Sequence, residues 1–338
     1  MTVGDLTERD LIARIQAKLP PAPPWLPVGI GDDAAVVEPE RNRLEVLSVD
    51  TIVEGVHFDR AFCPPDVVGH RALAVNLSDL AAMGAAPRAA LLAMALPAAL
   101  EVDDFDGIVS GLATLAAEHR LHVVGGNLAR SPGPLVIDVT VTGTVKRRQV
   151  LTRAGAKPGD AVYVSGAIGA ARAGLALLQT TDDSRLTTDD RRLTTAYLRP
   201  SPRVRLGVLL ARNRAAGACI DLSDGLSDGM HRIAEASRVG ITVDADALPI
   251  PAAARAAFAS RGCDPVAEAL AGGDDYELLF TVRRRRTRSA VAAAKLAGIP
   301  ITRVGECTER GGVVLRRAGA ETPLSLTGYS HFGAASPA

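Results

Sequence analysis

Residues 74–84 read Ala-Val-Asn-Leu-Ser-Asp-Leu-Ala-Ala-Met-Gly, and this stretch says most about the fold. It lies in a longer segment, Asp66–Met83, whose apolar residues predict a helix. Inside the largely apolar part of this helix, Ala72–Met83, the carboxylate of Asp79 is accompanied only by Asn76 and Ser78 as polar residues. Because a buried charge without a partner is costly, we expect Asp79 to face a polar or cation-binding site.

Acidic residues recur at the predicted ends of other strands and helices. Two carboxylates about 4 Å apart repel each other by about 4 kcal/mol at an effective dielectric constant near 20, so acids that converge need protons or cations to neutralise them. Oxygen ligands with few histidines favour Mg²⁺ over zinc or copper. For any one segment the alternative is ordinary turn and cap chemistry. The segments are Gly31-Asp32-Asp33, Ser48-Val49-Asp50, Asp221-Leu222-Ser223-Asp224-Gly225 and Gly272-Gly273-Asp274-Asp275.

Two glycine pairs, Gly125-Gly126 and Gly272-Gly273, are predicted to form turns that let the backbone approach a phosphate closely. The sequence has no Walker A motif and no GxGxxG after a strand, so an ATP site would be of a less common, metal-rich kind. His57 follows shortly after Asp50 and is the most notable histidine, with a structural role as its alternative.

Composition argues against several classes of protein. The chain has 338 residues, enough for two domains, of which 47% are apolar and 22% charged. Lys plus Arg and Asp plus Glu both number 38, which argues against nucleic acid or an anionic membrane surface as a partner. The four cysteines form no CxxC pair, so we expect reduced thiols in a cytoplasmic protein. We expect neither a signal peptide nor a membrane span.

The turn-rich segment Gly155–Asp160 marks a predicted domain boundary, which divides the chain into residues 1–150 and residues 151–338. Strands and helices are mixed in both parts, which predicts an α/β or α+β fold. Among the predicted elements are strands at Ala34–Val37 and Leu121–Val124 and an exposed loop at Thr180–Asp190.

Seven motifs, in order along nearly the whole chain, resemble the thiamine-monophosphate kinase family. Singly only the string Asn76–Gly84 is specific, but jointly the motifs are highly specific. The motifs are Gly29–Ala35, Val53–Phe58, Ala74–Gly84, Arg153–Asp160, Asp221–Leu226, Gly272–Leu278 and Gly328–Phe332.

The resemblance implies the two-domain α/β fold of the aminoimidazole-ribonucleotide synthetase superfamily. In that fold an N-terminal domain pairs with its copy to form a dimer barrel, and a C-terminal α/β domain packs alongside. It also implies an enzyme that uses ATP and several Mg²⁺ ions to convert thiamine monophosphate into thiamine diphosphate. Since the acceptor phosphate is already ionised near neutral pH, no catalytic side chain is expected to act as a general base.

The resemblance also implies site residues, with three departures from the family pattern. Asn127 stands where aspartate is usual, Val49 where threonine is usual, and Asp274 where glutamate is common. Any metal contact at Val49 must therefore come from its backbone. The implied Mg²⁺ ligands are Asp33, Ser48, Val49, Asp50, Asp79, Asn127, Asp221 and Asp224. The implied ATP contacts are Gly126, Asn127, Arg153 and Ser223, and the implied substrate contacts are His57, Asp274 and Tyr329.

Two kinds of alternative remain. The first is another ATP-using enzyme of the superfamily, such as a selenophosphate synthetase, a hydrogenase-maturation enzyme or the aminoimidazole-ribonucleotide synthetase itself. A selenophosphate synthetase should carry an early reactive cysteine near a lysine, whereas the first cysteine here is Cys63, after the first acidic motifs. The second is a non-catalytic protein that binds nucleotide or thiamine phosphate, which the departures at Asn127 and Val49 would allow.

Overall fold

The computed structural model describes residues 1–180 and 185–328. The chain divides into two compact units. Residues 1–80 and 85–148 form the first unit, and residues 81–84 together with the chain from Gln149 onward form the second. Within the described ranges, no helix combines the length and the apolar character needed to cross a membrane.

The first unit combines helices with a mixed sheet whose strand order is β1-β4-β2-β3. Strand β1 pairs with β4 and β4 with β2 in antiparallel fashion, whereas β2 and β3 are parallel. The elements are α1 (Glu8–Lys18), β1 (Leu44–Val53), α2 (Pro65–Ala82), β2 (Ala86–Pro97), α3 (Val102–Glu118), β3 (His122–Ser131) and β4 (Val136–Val145). The last two residues of α2 group with the second unit.

Helices α2 and α3 cross at two glycines. A Cβ on Gly69 of α2 would lie 1.8 Å from the carbonyl oxygen of Ile108 on α3, and a Cβ on Gly111 of α3 would lie 1.8 Å from the carbonyl oxygen of Asp66. The absence of side chains therefore lets the two helix backbones touch. Buried leucines and a phenylalanine fill the space around the crossing, among them Leu73, Leu77, Leu80, Phe105 and Leu112.

The two faces of the first unit's sheet differ in exposure. Along β1 the residues Ser48, Asp50 and Ile52 are half-buried or buried, whereas the alternate residues Leu47 and Val49 are exposed. Side chains alternate between the faces of a strand, so the exposed residues share one face. This face carries large apolar side chains, with Leu47 68% and Val49 55% exposed.

The second unit contains a larger sheet with the strand order β11-β10-β7-β9-β5-β8-β6. Its strand pairs are antiparallel, apart from the parallel pair β7 and β10. The strands are β5 (Ala161–Ser165), β6 (Cys219–Asp221), β7 (Gly240–Asp244), β8 (Leu278–Val282), β9 (Ile301–Thr308), β10 (Gly312–Arg317) and β11 (Ala320–Pro323). The helices are α4 (Ala170–Thr180), α5 (Thr188–Leu198), α6 (Val204–Arg212), α7 (Leu226–Ser237), α8 (Ala252–Ser260), α9 (Pro265–Ala271) and α10 (Thr287–Ala297).

One apolar core holds the second unit together. Val162 and Val164 of β5 are fully buried and share this core with Leu279 of β8, Met230 of α7 and Phe258 of α8. Strand β8 is buried along its whole length, as expected for an interior strand covered on both faces. The loops at the ends of β6 and β8 therefore begin from rigid positions.

The structure corrects three of the predicted elements. The strand predicted at Ala34–Val37 is wrong, because this segment forms one isolated bridge, between Val28 and Val36, and has no continuous partner strand. The turn predicted at Gly125-Gly126 is also wrong, because both glycines lie inside β3 and pair with β2. A Cβ on Gly126 would lie 1.8 Å from the carbonyl oxygen of Leu92, so this glycine permits close packing of two strands.

The third correction concerns the loop predicted at Thr180–Asp190. Helix α4 ends at Thr180 and helix α5 begins at Thr188, so both ends of the predicted loop are helical. The hydroxyl of Thr187 accepts a hydrogen bond from the backbone N–H of Asp190 at 3.1 Å, and the Asp190 carboxylate accepts one from the N–H of Thr187 at 3.0 Å. This capping box starts α5 in sequence that is polar enough to suggest a loop.

Candidate active site

Two elements of the first unit bring oxygen atoms together, strand β1 and helix α2. The hydroxyl of Ser48 on β1 donates a hydrogen bond to the carboxylate of Asp79 on α2. The backbone N–H of Asp50 donates to the side-chain oxygen of Asn76, at 3.0 Å. Asn76 and Asp79 are three residues apart in the helix and therefore lie on the same face. Three of the predicted metal ligands, Ser48, Asp50 and Asp79, thus lie where β1 and α2 meet.

Asn76 anchors this arrangement. Its side chain is fully buried, and its amide nitrogen donates to the carbonyl oxygen of Ala72 at 3.0 Å while its oxygen accepts from Asp50. A buried amide with satisfied hydrogen bonds fixes the distance between two elements. Sequence analysis noted Asn76 as a polar neighbour of Asp79 but not as the residue that joins α2 to β1.

The side chain of Val49 lies on the opposite face of β1 from Ser48 and Asp50. The Val49 side chain therefore lies away from the side-chain oxygens of Ser48 and Asp50, and a metal contact at its backbone stays a prediction. Valine offers no side-chain oxygen, so the substitution of the usual threonine removes a hydroxyl from the exposed face of the sheet.

A cavity of about 1130 Å³ in the first unit contains another part of the predicted site. Asp33, Gly126 and Asn127 all line it, together with the rest of the segment Gly29–Ala35. Asp33 is exposed, and its N–H donates to the Asp32 carboxylate at 2.9 Å. The cavity therefore brings an acidic loop beside the predicted ATP contacts on β3.

Sequence analysis missed Asp138, a further acid that lines this cavity. Asp138 lies on β4 directly opposite Thr51 of β1, whose hydroxyl donates to its carboxylate at 2.5 Å. Thr140 and Thr142 follow it at two-residue spacing and line the same cavity. The alternation of these polar residues with valines along β4 is the sequence signal that could have identified this face.

His57 lies in a turn just after β1. Its ring nitrogen Nδ1 accepts a hydrogen bond from the backbone N–H of Val53 at 3.0 Å. An acceptor nitrogen carries no proton, so the neutral ring is protonated on Nε2. Its backbone carbonyl accepts a hydrogen bond from Arg71 at 3.4 Å. The turn thus holds the ring in one tautomer and one orientation.

The second unit places Asp221, Ser223 and Asp224 around the end of β6 and the start of α7. Asp221 is buried at the last position of β6, Ser223 is exposed, and Asp224 is half-buried. Arg232 of α7 lies 3.7 Å from Asp224 and also pairs with Asp228, whose hydrogen bond raises the pKa of the guanidinium. Sequence analysis missed Arg232, although the spacing of four residues from Asp228 predicts such a pair on a helix.

The segment Gly272–Glu277 lies directly against Asp221–Asp224. The N–H of Asp274 donates to the carbonyl oxygen of Ser223 at 2.8 Å, and the N–H of Tyr276 donates to that of Leu222 at 2.9 Å. Asp274 has a φ of 65° and Tyr276 a φ of 48°, both in the left-handed region that side chains disfavour. The predicted substrate residue Asp274 therefore lies beside the predicted ATP contact Ser223, on a strained backbone.

Two of the predicted residues remain, Arg153 and Tyr329. Arg153 is exposed, and its carbonyl oxygen accepts a hydrogen bond from the hydroxyl of Ser237, the last residue of α7, at 3.0 Å. Tyr329 lies outside the described residues.

The chemistry of the predicted ligands fits Mg²⁺. Each predicted ligand apart from Val49 offers a carboxylate, hydroxyl or amide oxygen, the donor that Mg²⁺ prefers. Six of the eight predicted ligands, Val49 included, belong to the first unit, whereas Asp221 and Asp224 belong to the second. Across residues 1–180 and 185–328, no three His, Cys, Asp or Glu side chains form a group that could hold a metal ion. The metal assignments stay predictions.

Comparison with known families identifies the class of protein. Residues 31–145 match the family model described as AIR synthase related protein, N-terminal domain. Residues 157–317 match the corresponding C-terminal domain. The two matches account for the two units and for the α/β fold predicted from the sequence, so the chain has the AIR synthase-like architecture.

Individual relatives narrow the class. The chain is 38% identical to the thiamine-monophosphate kinase of Escherichia coli K12, over 96% of this chain and 98% of that one. The crystal structure of thiamine-monophosphate kinase from Stenotrophomonas maltophilia K279a is 40% identical and superposes with a TM-score of 0.82, covering 92% of this chain and 96% of that one. AaThiL complexed with AMPPCP and TMP is 32% identical with a TM-score of 0.78, covering 98% and 99%. The chain belongs to the thiamine-monophosphate kinase family.

Proposed function

We propose that this chain transfers the terminal phosphoryl group of ATP to thiamine monophosphate, giving ADP and thiamine diphosphate. The observation that carries the proposal is 38% identity to a thiamine-monophosphate kinase over 96% of the chain. The solved structure of a second related protein, at 32% identity, is complexed with AMPPCP, an ATP analogue, and TMP. Both findings cover nearly the whole chain, so they concern both units and not a single domain.

The reaction needs positioning more than proton transfer. A phosphate oxygen of thiamine monophosphate forms a bond to the terminal phosphorus of ATP, while the bond from that phosphorus to the bridging oxygen breaks and ADP departs with the electron pair. The second pKa of a phosphate monoester lies near 6, so the attacking oxygen is already ionised at pH 7 or above. The expectation that no side chain acts as a general base follows from this chemistry.

The first unit supplies the densest set of oxygen ligands. Asp50 and Asp79, with Ser48 held against Asp79, offer carboxylate and hydroxyl oxygens to a divalent cation. Asp33 and Asn127 offer further oxygens in the cavity of the first unit. Asp221 and Asp224 offer carboxylate oxygens in the second unit. When bound, Mg²⁺ would neutralise the charge of the phosphates and orient them.

Other residues act on the phosphates and the acceptor. Gly126, Arg153 and Ser223 are proposed to contact ATP, with the Arg153 guanidinium offering a planar fork of donors to phosphate oxygens. His57, Asp274 and Tyr329 are proposed to contact thiamine monophosphate. The neutral Nε2–H form of His57, set by the hydrogen bond from Val53, makes the ring a hydrogen-bond donor.

We further propose a homodimer that forms through the exposed face of the first unit's sheet. Leu47, Val49 and Leu91 are 68%, 55% and 45% exposed on this face. Exposed apolar side chains such as the neighbouring Leu47 and Val49, on one face of β1, are typical of an interface between proteins. All four cysteines are free thiols, which supports a reducing, cytoplasmic location.

The test of the proposed reaction measures ADP formation with Mg²⁺ and ATP, with and without thiamine monophosphate, and detects thiamine diphosphate by mass spectrometry. We expect ADP and thiamine diphosphate to appear together in equal amounts. ATP binding without thiamine diphosphate formation would contradict the proposal and favour either a superfamily enzyme with another substrate or a non-catalytic binding protein. Phosphoribosyl amidines and selenide are then the acceptors to try.

A further inference from the structure

A buried ionic network lies behind the segment Gly272–Glu277. The carboxylate of Glu277 is almost completely buried, with 3% of the residue exposed. It accepts hydrogen bonds from Arg203 through Nε at 2.7 Å and Nη2 at 2.5 Å, which is the bidentate arrangement. It also accepts one from the hydroxyl of Ser165 at 2.5 Å. These contacts join residues that are 74 and 112 positions apart in the chain.

The Glu277 carboxylate is also restrained by close packing. A Cβ on Gly166 would lie 1.9 Å from Glu277 Oε1, so the carboxylate packs directly on the backbone of this glycine. The hydroxyl of Ser165, in turn, accepts the N–H of Leu278 at 2.8 Å, which fixes the start of β8. A buried ion pair is weak evidence for stability, because desolvation offsets most of the attraction. The network is better explained by a role in holding the neighbouring segment of the chain in one conformation.

The part of the segment whose conformation needs this restraint lies directly before Glu277. Two residues of the segment, Asp274 and Tyr276, have left-handed backbones, which residues with side chains rarely adopt. A further restraint on the segment is Asp275, whose carboxylate accepts the N–H of Gly169 just before α4, at 2.8 Å to the nearer oxygen. A strained segment persists when its surroundings determine its geometry from several sides.

The same segment is coupled to the acidic loop after β6. The N–H of Leu222 donates to the carbonyl oxygen of Glu277 at 2.8 Å, and the N–H of Tyr276 donates to the carbonyl oxygen of Leu222 at 2.9 Å. The N–H of Asp274 donates to the carbonyl oxygen of Ser223. A shift of Glu277 would therefore displace Asp274 and move it relative to Ser223.

We propose that Arg203 is a positioning residue, whose bidentate contact with Glu277 holds Asp274 in its left-handed conformation beside Ser223. Arg203 directly precedes α6, so the helix fixes its backbone while its side chain reaches Glu277. The role deepens the proposed function, because it rests on Asp274 contacting thiamine monophosphate. Arg203 itself contacts neither substrate.

The test compares Arg203→Lys with the wild-type protein. Lysine retains the positive charge but lacks the planar fork, so it can hold one carboxylate oxygen and not both. We expect KM for thiamine monophosphate to rise about tenfold or more, because a small misplacement of a contact residue is costly. We expect KM for ATP to change less than threefold, because β6 and α7 still support Ser223. Glu277→Gln should give the same pattern.

The two substitutions combined provide a second readout. If Arg203 and Glu277 act as one unit, the double variant should lose no more than either single variant, whereas independent effects would multiply. Arg316→Lys is the matched control, because Arg316 also places Nε and Nη2 on a carboxylate, that of Glu321, but on the hairpin of β10 and β11. This control should leave both KM values unchanged.

Hydrogen exchange measured by mass spectrometry tests the positioning without relying on activity. In Arg203→Lys we expect faster deuterium uptake in peptides that cover residues 272–278, with the melting temperature close to that of the Arg316→Lys control. Unchanged uptake, an unchanged KM for thiamine monophosphate, or equal increases in both KM values would overturn the positioning role. A wild-type protein that forms no thiamine diphosphate would instead overturn the proposed function, with the exchange result still deciding whether Arg203 fixes the segment.

Discussion

Asp79 lies on helix α2 with its carboxylate held by the hydroxyl of Ser48 on β1. The neighbouring Asn76 holds the backbone of Asp50 from the same helix face. Two hydrogen bonds between helix α2 and strand β1 thus arrange the oxygen-bearing side chains of Ser48, Asp50 and Asp79. At the scale of single residues, the chemistry of this site depends on the charge of Asp79 and on the contacts that orient it.

Replacing Asp79 with Asn should remove the negative charge while leaving the fold unchanged. The amide oxygen can still accept the Ser48 hydroxyl, so we expect an unchanged circular dichroism spectrum. Loss of the negative charge should lower kcat about 100-fold or more, the size of effect seen when one electrostatic contact to a transition state is removed. Turnover assays on the purified variant measure this.

Asp103→Asn is the control for this substitution. Asp103 is an exposed acid in the first turn of α3, so the same change of charge there should leave kcat within about twofold of wild type, as for most surface substitutions. Near-normal turnover in Asp79→Asn would show that this carboxylate is not required.

The cysteines should differ sharply in reactivity. Burial raises the pKa of the Cys219 thiol well above its ordinary value and raises the pKa of Cys307 to about 12. Since the thiolate is the reactive form, neither should react with iodoacetamide at pH 8. Cys263 is half-buried and should be alkylated first, as measured by peptide mass spectrometry. In denaturant all four should react, and native modification of Cys219 as fast as Cys263 would contradict this assignment.

At the scale of elements, the sheet of the first unit depends on the parallel contact between β2 and β3. Leu92 and Gly126 are directly opposite each other in this pair. The ladder also contains a register shift between Ala90 and Leu91, and Gly126 lies directly against the backbone of Leu92. The predicted ATP contacts Gly126 and Asn127 therefore take their positions from strand pairing and not from a loop.

Gly126→Ala should weaken this pairing. Its Cβ would lie 1.8 Å from the carbonyl oxygen of Leu92, and backbone cannot rotate away as a side chain can. We expect the free energy of unfolding to fall by about 1–3 kcal/mol, as for other overpacked sites. Urea denaturation measures the change.

Gly133→Ala is the matched control, because a Cβ there meets no atom within 4 Å. This variant should be as stable as wild type or slightly more stable, since alanine restricts the unfolded chain. Equal stability of the two variants would mean that the contact between β2 and β3 is looser than the geometry indicates.

At the scale of the whole molecule, one face of the first unit's sheet carries exposed apolar side chains. Leu47 and Val49 of β1 and Leu91 of β2 contribute to it. Exposed apolar surface of this kind favours association by the hydrophobic effect. The proposed homodimer would cover this face and remove these side chains from water.

Leu47→Glu should therefore shift the protein from dimer to monomer. Leu47 is 68% exposed within the chain, so glutamate should not disturb the fold of the single subunit. A buried charge at an interface would oppose dimerisation. Light scattering coupled to size-exclusion chromatography measures the mass, and Leu296→Glu, at a 59% exposed position on α10, is the control. A wild-type monomer, or a dimer unaffected by Leu47→Glu, would contradict the proposed interface.

Local sequence patterns predicted many of the helices and strands of this protein. The apolar period of α2, the alternation of β4 and the strand β5 follow from residue spacing that any neighbouring structure would preserve. The acidic segments and the motif Ala74–Gly84 indicated the family and the ATP-dependent chemistry, and the comparisons confirm the family. The capping box of α5 was also present in the sequence, but the polar composition around it favoured a loop.

The tertiary structure decided what depends on distant residues. Gly125-Gly126 reads as a turn in isolation and becomes part of β3 because β2 offers it a parallel partner. Asp138 joins the cavity through its register with Thr51, and Arg203 meets Glu277 across 74 positions of chain. The sequence by itself determined the family, the class of chemistry and the individual helices and strands, because these depend on residue type and local spacing. Strand register and buried contacts were decided only in the folded chain, because they depend on which distant surfaces pack together.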